Sequence, residues 1–272
     1  MAHVLVTGRD GHLGKQLTPR LIKAGHTVRV MSRKAAPQNL SGTEWATAHL
    51  DTGEGLDQAV RGIDLIIHAA SNAFNVKGVD IGGTKKLLDA AKSAGVGHVT
   101  YVSIVGIDRL PMGNFGYYQA KVAAEKLVAA SGIPYASVRI TQFYSFVERF
   151  FIAGPAKFPI AFLPFDFKFQ AIDTGEAADA VVRLGMGGKT GVLPDVAGPA
   201  VMTIRQMSKL WFEAKGIKRI RLPMLTTGAF AAGLKLGQNT SPDHAVGKIA
   251  WAGWLAEKYG KKVTTQESMV SA

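Results

Sequence analysis

Three residues in the middle of the chain have types and spacings that could move a proton. Tyr117 and Lys121 are four residues apart, so on a helix their side chains would share one face. A neighbouring ammonium favours the phenolate and lowers the tyrosine pKa from its usual value of about 10. Tyr117 could then exchange a proton with a carbonyl or alcohol oxygen near neutral pH. Ser103, at the end of an apolar run, could hydrogen-bond the same oxygen, so we take all three as candidate catalytic residues.

A glycine-rich segment near the N-terminus could bind phosphate groups. Residues 7–14 read TGRDGHLG, which gives Gly8, Gly11 and Gly14 a regular three-residue spacing. Glycine allows a tight turn with positive φ and lets the backbone approach a pyrophosphate closely. The next helix would direct free N–H groups and its positive dipole end at the phosphates. The alternative is an ordinary strand-to-helix turn, but the position after an apolar strand favours a phosphate site.

The end of the second predicted strand indicates which dinucleotide binds. Proteins that prefer NAD place an acid there, about 20 residues past the glycine loop, to hold the ribose 2′-hydroxyl. Here the segment contains Ser32, Arg33 and Lys34 and no acid. Two cations and a hydroxyl suit a 2′-phosphate, and Arg9 in the glycine loop could approach the same group. We predict NADP(H) as the cofactor, with NAD(H) less favoured; the alternative is a solvated basic turn.

The elements that must position these groups are those of an α/β protein with a parallel sheet, followed by a less regular second half. Short apolar runs alternate with amphipathic segments, as right-handed βαβ crossovers require. We predict strands over 3–7, 27–31, 45–50, 65–68, 98–103 and 135–140 and helices over 13–24, 56–60, 79–94 and 116–130. In the less regular second half we predict helices over 176–186, 203–213 and 244–259 and strands over 191–196 and 217–222.

The composition excludes several classes of protein. The 272-residue chain has no cysteine, which excludes disulfides and thiolate chemistry. The histidines lack metal-ligand spacing, and we predict no metal site. No apolar run reaches the roughly 18 residues of a membrane span, and the N-terminus does not resemble a signal peptide. The net charge of +12 is spread evenly. We therefore expect a cytoplasmic protein with no membrane or nucleic-acid partner, as a monomer or homodimer.

Four motifs together resemble a known superfamily. TGRDGHLG, HAAS, YVSIVG and YYQAK occur in that order and resemble the short-chain dehydrogenase/reductases, in particular the atypical, NmrA-like branch of their extended group. The resemblance covers residues 3–145 with specific motifs. It implies an α/β fold, a Rossmann-type doubly wound parallel sheet with a smaller C-terminal substrate-binding region. We expect a cofactor domain over 1–142 with a contribution from 175–200, a substrate region over 143–174 and 200–260, and a flexible tail over 261–272.

The resemblance also implies roles for individual residues. Tyr117 and Lys121 match the family's catalytic pair, whereas Ser103 is followed by Ile104 where relatives often carry tandem serines. The implied cofactor contacts are Thr7, Gly8, Arg9, Gly11, His12, Leu13 and Gly14 in the phosphate loop, Ser32, Arg33 and Lys34 at the 2′-phosphate, Asp51 at the adenine, Ala69, Ala70 and Ser71 beside the ribose, Lys121 at the nicotinamide ribose, and Thr141 and Phe143 at the nicotinamide.

The segment from 143 to 169 contains nine of the thirteen phenylalanines, so it must form either an apolar pocket or plain core. The first interpretation predicts a hydrophobic small-molecule substrate. Its candidate pocket residues are Tyr118, Phe143, Tyr144 and Phe146.

Two functions remain open from the sequence. The first is an NADPH-dependent oxidoreductase that transfers hydride to a hydrophobic carbonyl, enone, imine or quinone with a Ser/Tyr/Lys site. The alternative is a non-catalytic, NADP(H)-binding redox-sensing regulator of the NmrA type, a role that the resemblance implies for relatives lacking the tyrosine. A nucleotide-sugar epimerase or dehydratase is less favoured because the 143–169 segment is too apolar for a sugar pocket.

Overall fold

The computed structural model describes residues 1–37, 42–111, 116–186, 188 and 190–260. It divides into two compact units, the first made of residues 1–108, 112–140 and 177–195 and the second of residues 109–111, 141–176 and 196–272. Within the described ranges, no helix is both long and apolar enough to cross a membrane. The tail predicted over 261–272 lies outside the described residues.

The first unit is built around a parallel sheet of seven strands. They are β1 (His3–Thr7), β2 (Thr27–Ser32), β3 (Glu44–Thr47), β4 (Leu65–His68), β5 (His98–Ile104), β6 (Tyr135–Ile140) and β9 (Gly191–Val192), numbered along the chain. Their order is β3-β2-β1-β4-β5-β6-β9. The chain changes direction across the sheet between β1 and β4, the position at which open α/β sheets bind ligands. The predicted Rossmann-type α/β fold is confirmed.

Helices cover both faces of this sheet. They are α1 (His12–Lys23), α2 (Leu56–Val60), α3 (Thr84–Ser93), α4 (Gly116–Ala130) and most of α6 (Thr174–Gly185). On one face, α2, α3 and α4 bury a continuous apolar cluster against β4 and β5. On the other, a Cβ on Gly185 would lie 2.7 Å from the Thr100 side chain, so this glycine lets α6 pack closely on β5.

The helix predicted over 79–94 begins differently in the structure. A π-helix over Val76–Gly83 leads into α3, and the Asn75 side chain accepts the Gly78 N–H at 3.1 Å. Glycine is a poor α-helix former, and this segment contains Gly78, Gly82 and Gly83. The π-helix is important for the site because it contains Asp80.

The second unit contains two small sheets and several helices. Its strands are β7 (Ile160–Leu163), β8 (Lys168–Phe169), β10 (Met202–Thr203) and β11 (Ile220–Pro223); its helices are α5 (Tyr144–Val147), α7 (Ile204–Lys215), α8 (Ala229–Leu236) and α9 (Trp251–Tyr259). A π-helix spans Glu148–Ala153, and 3-10 turns span Pro155–Lys157 and Pro242–His244. β7 pairs in parallel with β11, and β8 pairs antiparallel with β10.

Two helix starts in this unit test the sequence analysis. α7 begins at the predicted N-cap: the Thr203 hydroxyl accepts the Gln206 N–H, and the Gln206 side chain accepts the Thr203 N–H. The helix predicted over 244–259 is wrong in its first half, because α9 begins at Trp251. The N–H groups of Val246 and Gly247 donate to the carbonyl of Ala197 and so leave the helical pattern.

One face of the β7–β11 sheet is apolar and exposed. Ile160 and Phe162 of β7 stand opposite Ile220 and Leu222 of β11, and all four side chains are exposed. The intervening Ala161 and Leu163 are buried. Because successive residues of a strand point to opposite faces, β7 is apolar on both of its faces. We refer to the four exposed side chains as the β7–β11 face.

Candidate cofactor and active site

The glycine loop lies at the carboxyl end of β1 and is packed so tightly that side chains would not fit. Gly8 has φ of 75°, and a Cβ there would lie 2.7 Å from the Ala70 nitrogen. A Cβ on Gly14 would lie 2.2 Å from the Gly8 carbonyl oxygen, well inside van der Waals contact. The Gly11 N–H donates to that oxygen at 3.0 Å. The loop leads into the N-terminus of α1 and has no Cβ at its three glycines. A pyrophosphate could therefore approach the backbone closely, and this geometry fits a pyrophosphate site.

Buried polar side chains join the ends of β1 and β4. Thr84 donates its hydroxyl proton to the carbonyl of Asp80 at 2.6 Å, so it must accept from His68 Nε2 at 3.0 Å. Nδ1 of His68 then accepts the Thr7 hydroxyl proton at 2.7 Å, and the Thr7 oxygen accepts the Ala70 N–H at 3.2 Å. Burial lowers the pKa of His68 to about 3. The ring is therefore neutral, and the network holds the loop after β4 against the glycine loop.

A cleft of about 370 Å³ opens at the carboxyl ends of these strands. Nine of the predicted cofactor residues line it: Gly8, Arg9, Gly11, Ser32, Arg33, Asp51, Ala69, Ala70 and Ser71. Asp10, Met31, Ala48, Leu50, Asn72 and Val79 also line it and were not predicted. Of the other predicted contacts in this unit, Thr7, Leu13, Gly14 and Lys121 are buried, and His12 and Lys34 are exposed. Apolar side chains on the Asp51 side suit an adenine ring, whose face needs no hydrogen bond.

The end of β2 is more acidic than the sequence analysis expected. No acid follows β2 in the chain, but Asp10 of the glycine loop accepts the Ser32 hydroxyl proton at 2.9 Å. The Arg9 guanidinium lies 3.4 Å from the Asp10 carboxylate and 5.1 Å from the centre of the Trp45 ring. The hydrogen bond from Ser32, with the charges of Lys34 and Arg9, lowers the pKa of Asp10 against the effect of burial. A sequence signal existed, since Asp10 lies inside the glycine motif.

Tyr117 lies beside a buried carboxylate that sequence reasoning missed. The Ser71 hydroxyl donates to Asp80 at 2.5 Å and lies 3.4 Å from the Tyr117 hydroxyl. Asp80 also accepts the Asn72 N–H at 2.9 Å, and Lys121 Nζ lies 3.9 Å from the same carboxylate. The Ser71 hydroxyl is the donor in both contacts: it is directed at the Asp80 carboxylate and, at the longer distance, at the Tyr117 oxygen. The four side chains form one connected group, which we call the Tyr117 cluster.

The direction of the Tyr117 pKa shift is opposite to the one expected from the sequence. Burial raises the pKa of Tyr117 and the Asp80 charge raises it further, whereas the hydrogen bond from Ser71 lowers it. Lys121 does not provide the expected effect because its ammonium faces Asp80, the Val102 carbonyl at 3.3 Å and the Tyr101 ring. Burial lowers the pKa of Lys121, opposed by Asp80 and Glu125.

Ser103 is buried, and its hydroxyl has no hydrogen bond of good geometry among the described residues. It lies close enough to Glu125 to help lower the pKa of that carboxyl, although burial opposes the shift and Arg139 and Ser137 contribute more to lowering it. Ser71 is therefore the serine at the Tyr117 hydroxyl in this structure.

The remaining predicted residues are divided between the two units. Tyr118 is buried in the first unit, with its ring centre 6.0 Å from that of Tyr117. In the second unit, Thr141 is buried and its hydroxyl accepts the Gly198 N–H at 3.3 Å. Tyr144 donates to the Ile249 carbonyl at 2.8 Å and packs on two tryptophans, which gives it a core role. Phe143 is half-buried and Phe146 exposed.

The fold and the glycine-loop cleft are those of a Rossmann-type nucleotide-binding protein. Residues 8–148, more than half of the chain, match a family described as NAD(P)H-binding, and the protein belongs to that family. The resemblance stated from the motifs is thereby confirmed.

Two of the relatives are an oxidoreductase and a reductase by name. The chain is 25% identical over 241 residues to quinone oxidoreductase 2 of Escherichia coli, covering 85% of this chain and 81% of that protein. It is 26% identical over 234 residues to (4-alkanoyl-5-oxo-2,5-dihydrofuran-3-yl)methyl phosphate reductase of Streptomyces griseus, covering 82% and 80%. A crystal structure of the Escherichia coli NADPH-dependent quinone oxidoreductase with NADPH superposes with a TM-score of 0.68 at 19% identity, covering 96% of each chain.

Proposed function

We propose that the protein is an NADPH-dependent oxidoreductase that reduces a hydrophobic quinone, enone, imine or other carbonyl compound. The observation that carries the proposal is the Tyr117 cluster within the same unit as a glycine-loop cleft that fits a dinucleotide. The relatives named above support a reductase.

The preference for NADPH rests on the positive charges at the ribose end of the cleft. Arg9 and Arg33 line this end of the cleft, and Lys34 is the next residue in the chain after Arg33. Guanidinium groups match phosphate oxygens in geometry as well as charge. The Escherichia coli relative is described as NADPH-dependent, which supports the same choice.

When bound, the nicotinamide would supply the hydride that the substrate carbon accepts. The chain's own contribution is the proton. Tyr117, kept protonated by burial, would donate it to the substrate oxygen as that oxygen gains charge. Ser71 would orient the Tyr117 hydroxyl, because its own hydroxyl lies within reach of both Tyr117 and Asp80. Tyr117, which is half-buried, would recover its proton from solvent after the product leaves. Lys121 holds the Asp80 charge in place and is the predicted contact to the nicotinamide ribose.

The redox-sensing regulator remains a second candidate for one reason. The pKa of Tyr117 is raised and the Lys121 ammonium faces Asp80 rather than the phenol. A tyrosine that stays protonated and a lysine that pairs with a carboxylate are compatible with nucleotide binding as well as with catalysis. Such a protein would bind NADPH and NADP with unequal affinity and turn over no substrate.

The test is NADPH oxidation against a panel of quinones, cyclic enones, aromatic ketones and cyclic imines, with Tyr117→Phe measured in parallel. We expect turnover with one class and a loss in kcat of about 100-fold or more in the variant, the scale of a missing general acid.

Tyr135→Phe is the matched control and should retain activity, since Tyr135 is the first residue of β6 and lies at the amino ends of the strands, whereas the cleft is at their carboxyl ends. Full activity in Tyr117→Phe would remove the tyrosine from the mechanism. Tight NADPH binding with no turnover on any compound would favour the regulator.

A further inference from the structure

The ribose end of the cleft contains a negative charge among its cations. The Asp10 carboxylate reaches across from the glycine loop to the end of β2 and accepts the Ser32 hydroxyl proton. The Ser32 oxygen in turn accepts the Lys34 N–H at 3.1 Å, which fixes the hydroxyl toward Asp10. Asp10, Ser32 and Arg33 all line the cleft. The carboxylate therefore lies beside the cations that were expected to hold a 2′-phosphate.

The position of this carboxylate gives it opposite effects on the two dinucleotides. In a Rossmann fold the adenosine ribose lies at the end of the second strand, where a carboxylate can accept the 2′-hydroxyl proton. A 2′-phosphate at the same place has no proton to offer and has the same sign of charge as the carboxylate. Because the pKa of Asp10 is lowered by Ser32 and its basic neighbours, the group is ionised at neutral pH.

We propose that Asp10 limits the preference for NADP(H), by accepting the ribose 2′-hydroxyl of NAD(H) and repelling the 2′-phosphate of NADP(H). The proposal rests on membership of the NAD(P)H-binding family and does not require the reductase activity. The selectivity between the two nucleotides would then be set by a balance between one carboxylate and the cations around it.

Arg9 is the cation that this carboxylate restrains most directly. Its guanidinium is held between Asp10 at 3.4 Å and the Trp45 ring at 5.1 Å. Neutralising Asp10 removes the repulsion and at the same time releases Arg9 toward a phosphate. Arg33 also lines the cleft and is exposed. Removing it tests the opposite charge, because the 2′-phosphate would lose a cation while Asp10 stays unchanged.

The experiment measures the dissociation constants of NADPH and NADH on the purified protein by nucleotide fluorescence. Asp10→Asn keeps the size of the side chain and an oxygen for Ser32 but removes the charge. We expect it to tighten NADPH binding by about 10-fold, with NADH unchanged or weaker, as the loss of a like-charge contact predicts. Arg33→Ser should weaken NADPH and leave NADH almost unchanged. The Asp10 effect should shrink at high salt.

Asp51→Asn is the matched control because Asp51 is another carboxylate of the cleft, on the predicted adenine side. It should alter both affinities by a similar factor and leave their ratio unchanged. A ratio that stays constant in Asp10→Asn, or moves toward NADH, would overturn the proposal. A wild-type protein that bound neither nucleotide would overturn it as well, whereas a protein that bound both but lacked reductase activity would leave it intact.

Discussion

The Tyr117 hydroxyl has two neighbours that act on its pKa in opposite directions. Asp80 raises that pKa through its negative charge, and Ser71 lowers it through a hydrogen bond. Asp80→Asn should therefore lower the pKa of Tyr117 and Ser71→Ala should raise it. If Tyr117 donates a proton in the reaction, it must be protonated to work. The basic limb of kcat/KM against pH should move to lower pH in Asp80→Asn and to higher pH in Ser71→Ala.

The two variants should displace the basic limb in opposite directions. Simple damage to the site would not produce opposite displacements. A displacement in the same direction for both variants would contradict the assignment of the Tyr117 cluster. Circular dichroism of each variant checks that the fold is retained.

The cluster also marks the limit of what the sequence could predict about the site. Tyr117 and Lys121 were found because helical spacing alone puts them on one face. Ser71 was expected to contact the ribose and Asp80 was not expected at all, since their approach to Tyr117 depends on how the loop after β4 and the π-helix over Val76–Gly83 pack. A buried ammonium such as that of Lys121 requires a compensating charge, but no local pattern says which carboxylate supplies it.

At the scale of elements, we expect the third glycine of the loop, Gly14, to tolerate no side chain. Gly14→Ala places a Cβ 2.2 Å from the Gly8 oxygen, so the loop must open or α1 must move. We expect a lower unfolding temperature and a loss of NADPH affinity of at least about 10-fold, because the backbone N–H groups no longer converge on the phosphates.

The matched control is Gly253→Ala. Gly253 lies in α9, and a Cβ there meets no atom within 4 Å. Alanine is the better helix former, so this variant should be more stable by up to about 1 kcal/mol with unchanged nucleotide affinity. Unimpaired binding by Gly14→Ala would show that the loop does not hold the phosphates.

Elements were predictable where local signals and tertiary packing agreed. The strands at 65–68 and 135–140 were found because they are short apolar runs, and α7 because Thr203 caps it. The beginning of α9 was missed because the N–H groups of Val246 and Gly247 bond to Ala197, a partner distant in sequence. β7 was missed because Pro159 and Pro164 flank a segment whose strand partner, β11, lies about 60 residues away in the chain.

At the scale of the whole molecule, the β7–β11 face is an apolar surface that contributes little to folding. Phe162 and Ile220 are more than half exposed, and contiguous exposed apolar side chains bind hydrophobic dyes and promote self-association. The double variant Phe162→Thr, Ile220→Thr should bind less of a fluorescent hydrophobic dye and scatter less light on concentration. Its unfolding temperature should stay close to that of the wild type, because threonine is also a good strand former.

Leu163→Thr is the contrasting variant, since Leu163 is fully buried on the opposite face of the same strand. Loss of apolar volume and burial of a hydroxyl should destabilise it by about 2–4 kcal/mol. A double variant as unstable as Leu163→Thr would mean that the β7–β11 face is covered in solution.

The uncharged network through His68 should reduce the conformational entropy that is lost when a nucleotide binds. Thr7, His68 and Thr84 fix the ends of β1 and β4 during folding, so the site is preorganised and little conformational entropy is lost when the nucleotide binds. A substitution that loosens the network should lower both the unfolding temperature and the nucleotide affinity. A saturating nucleotide would then restore part of the lost stability by mass action, since it binds the folded state alone.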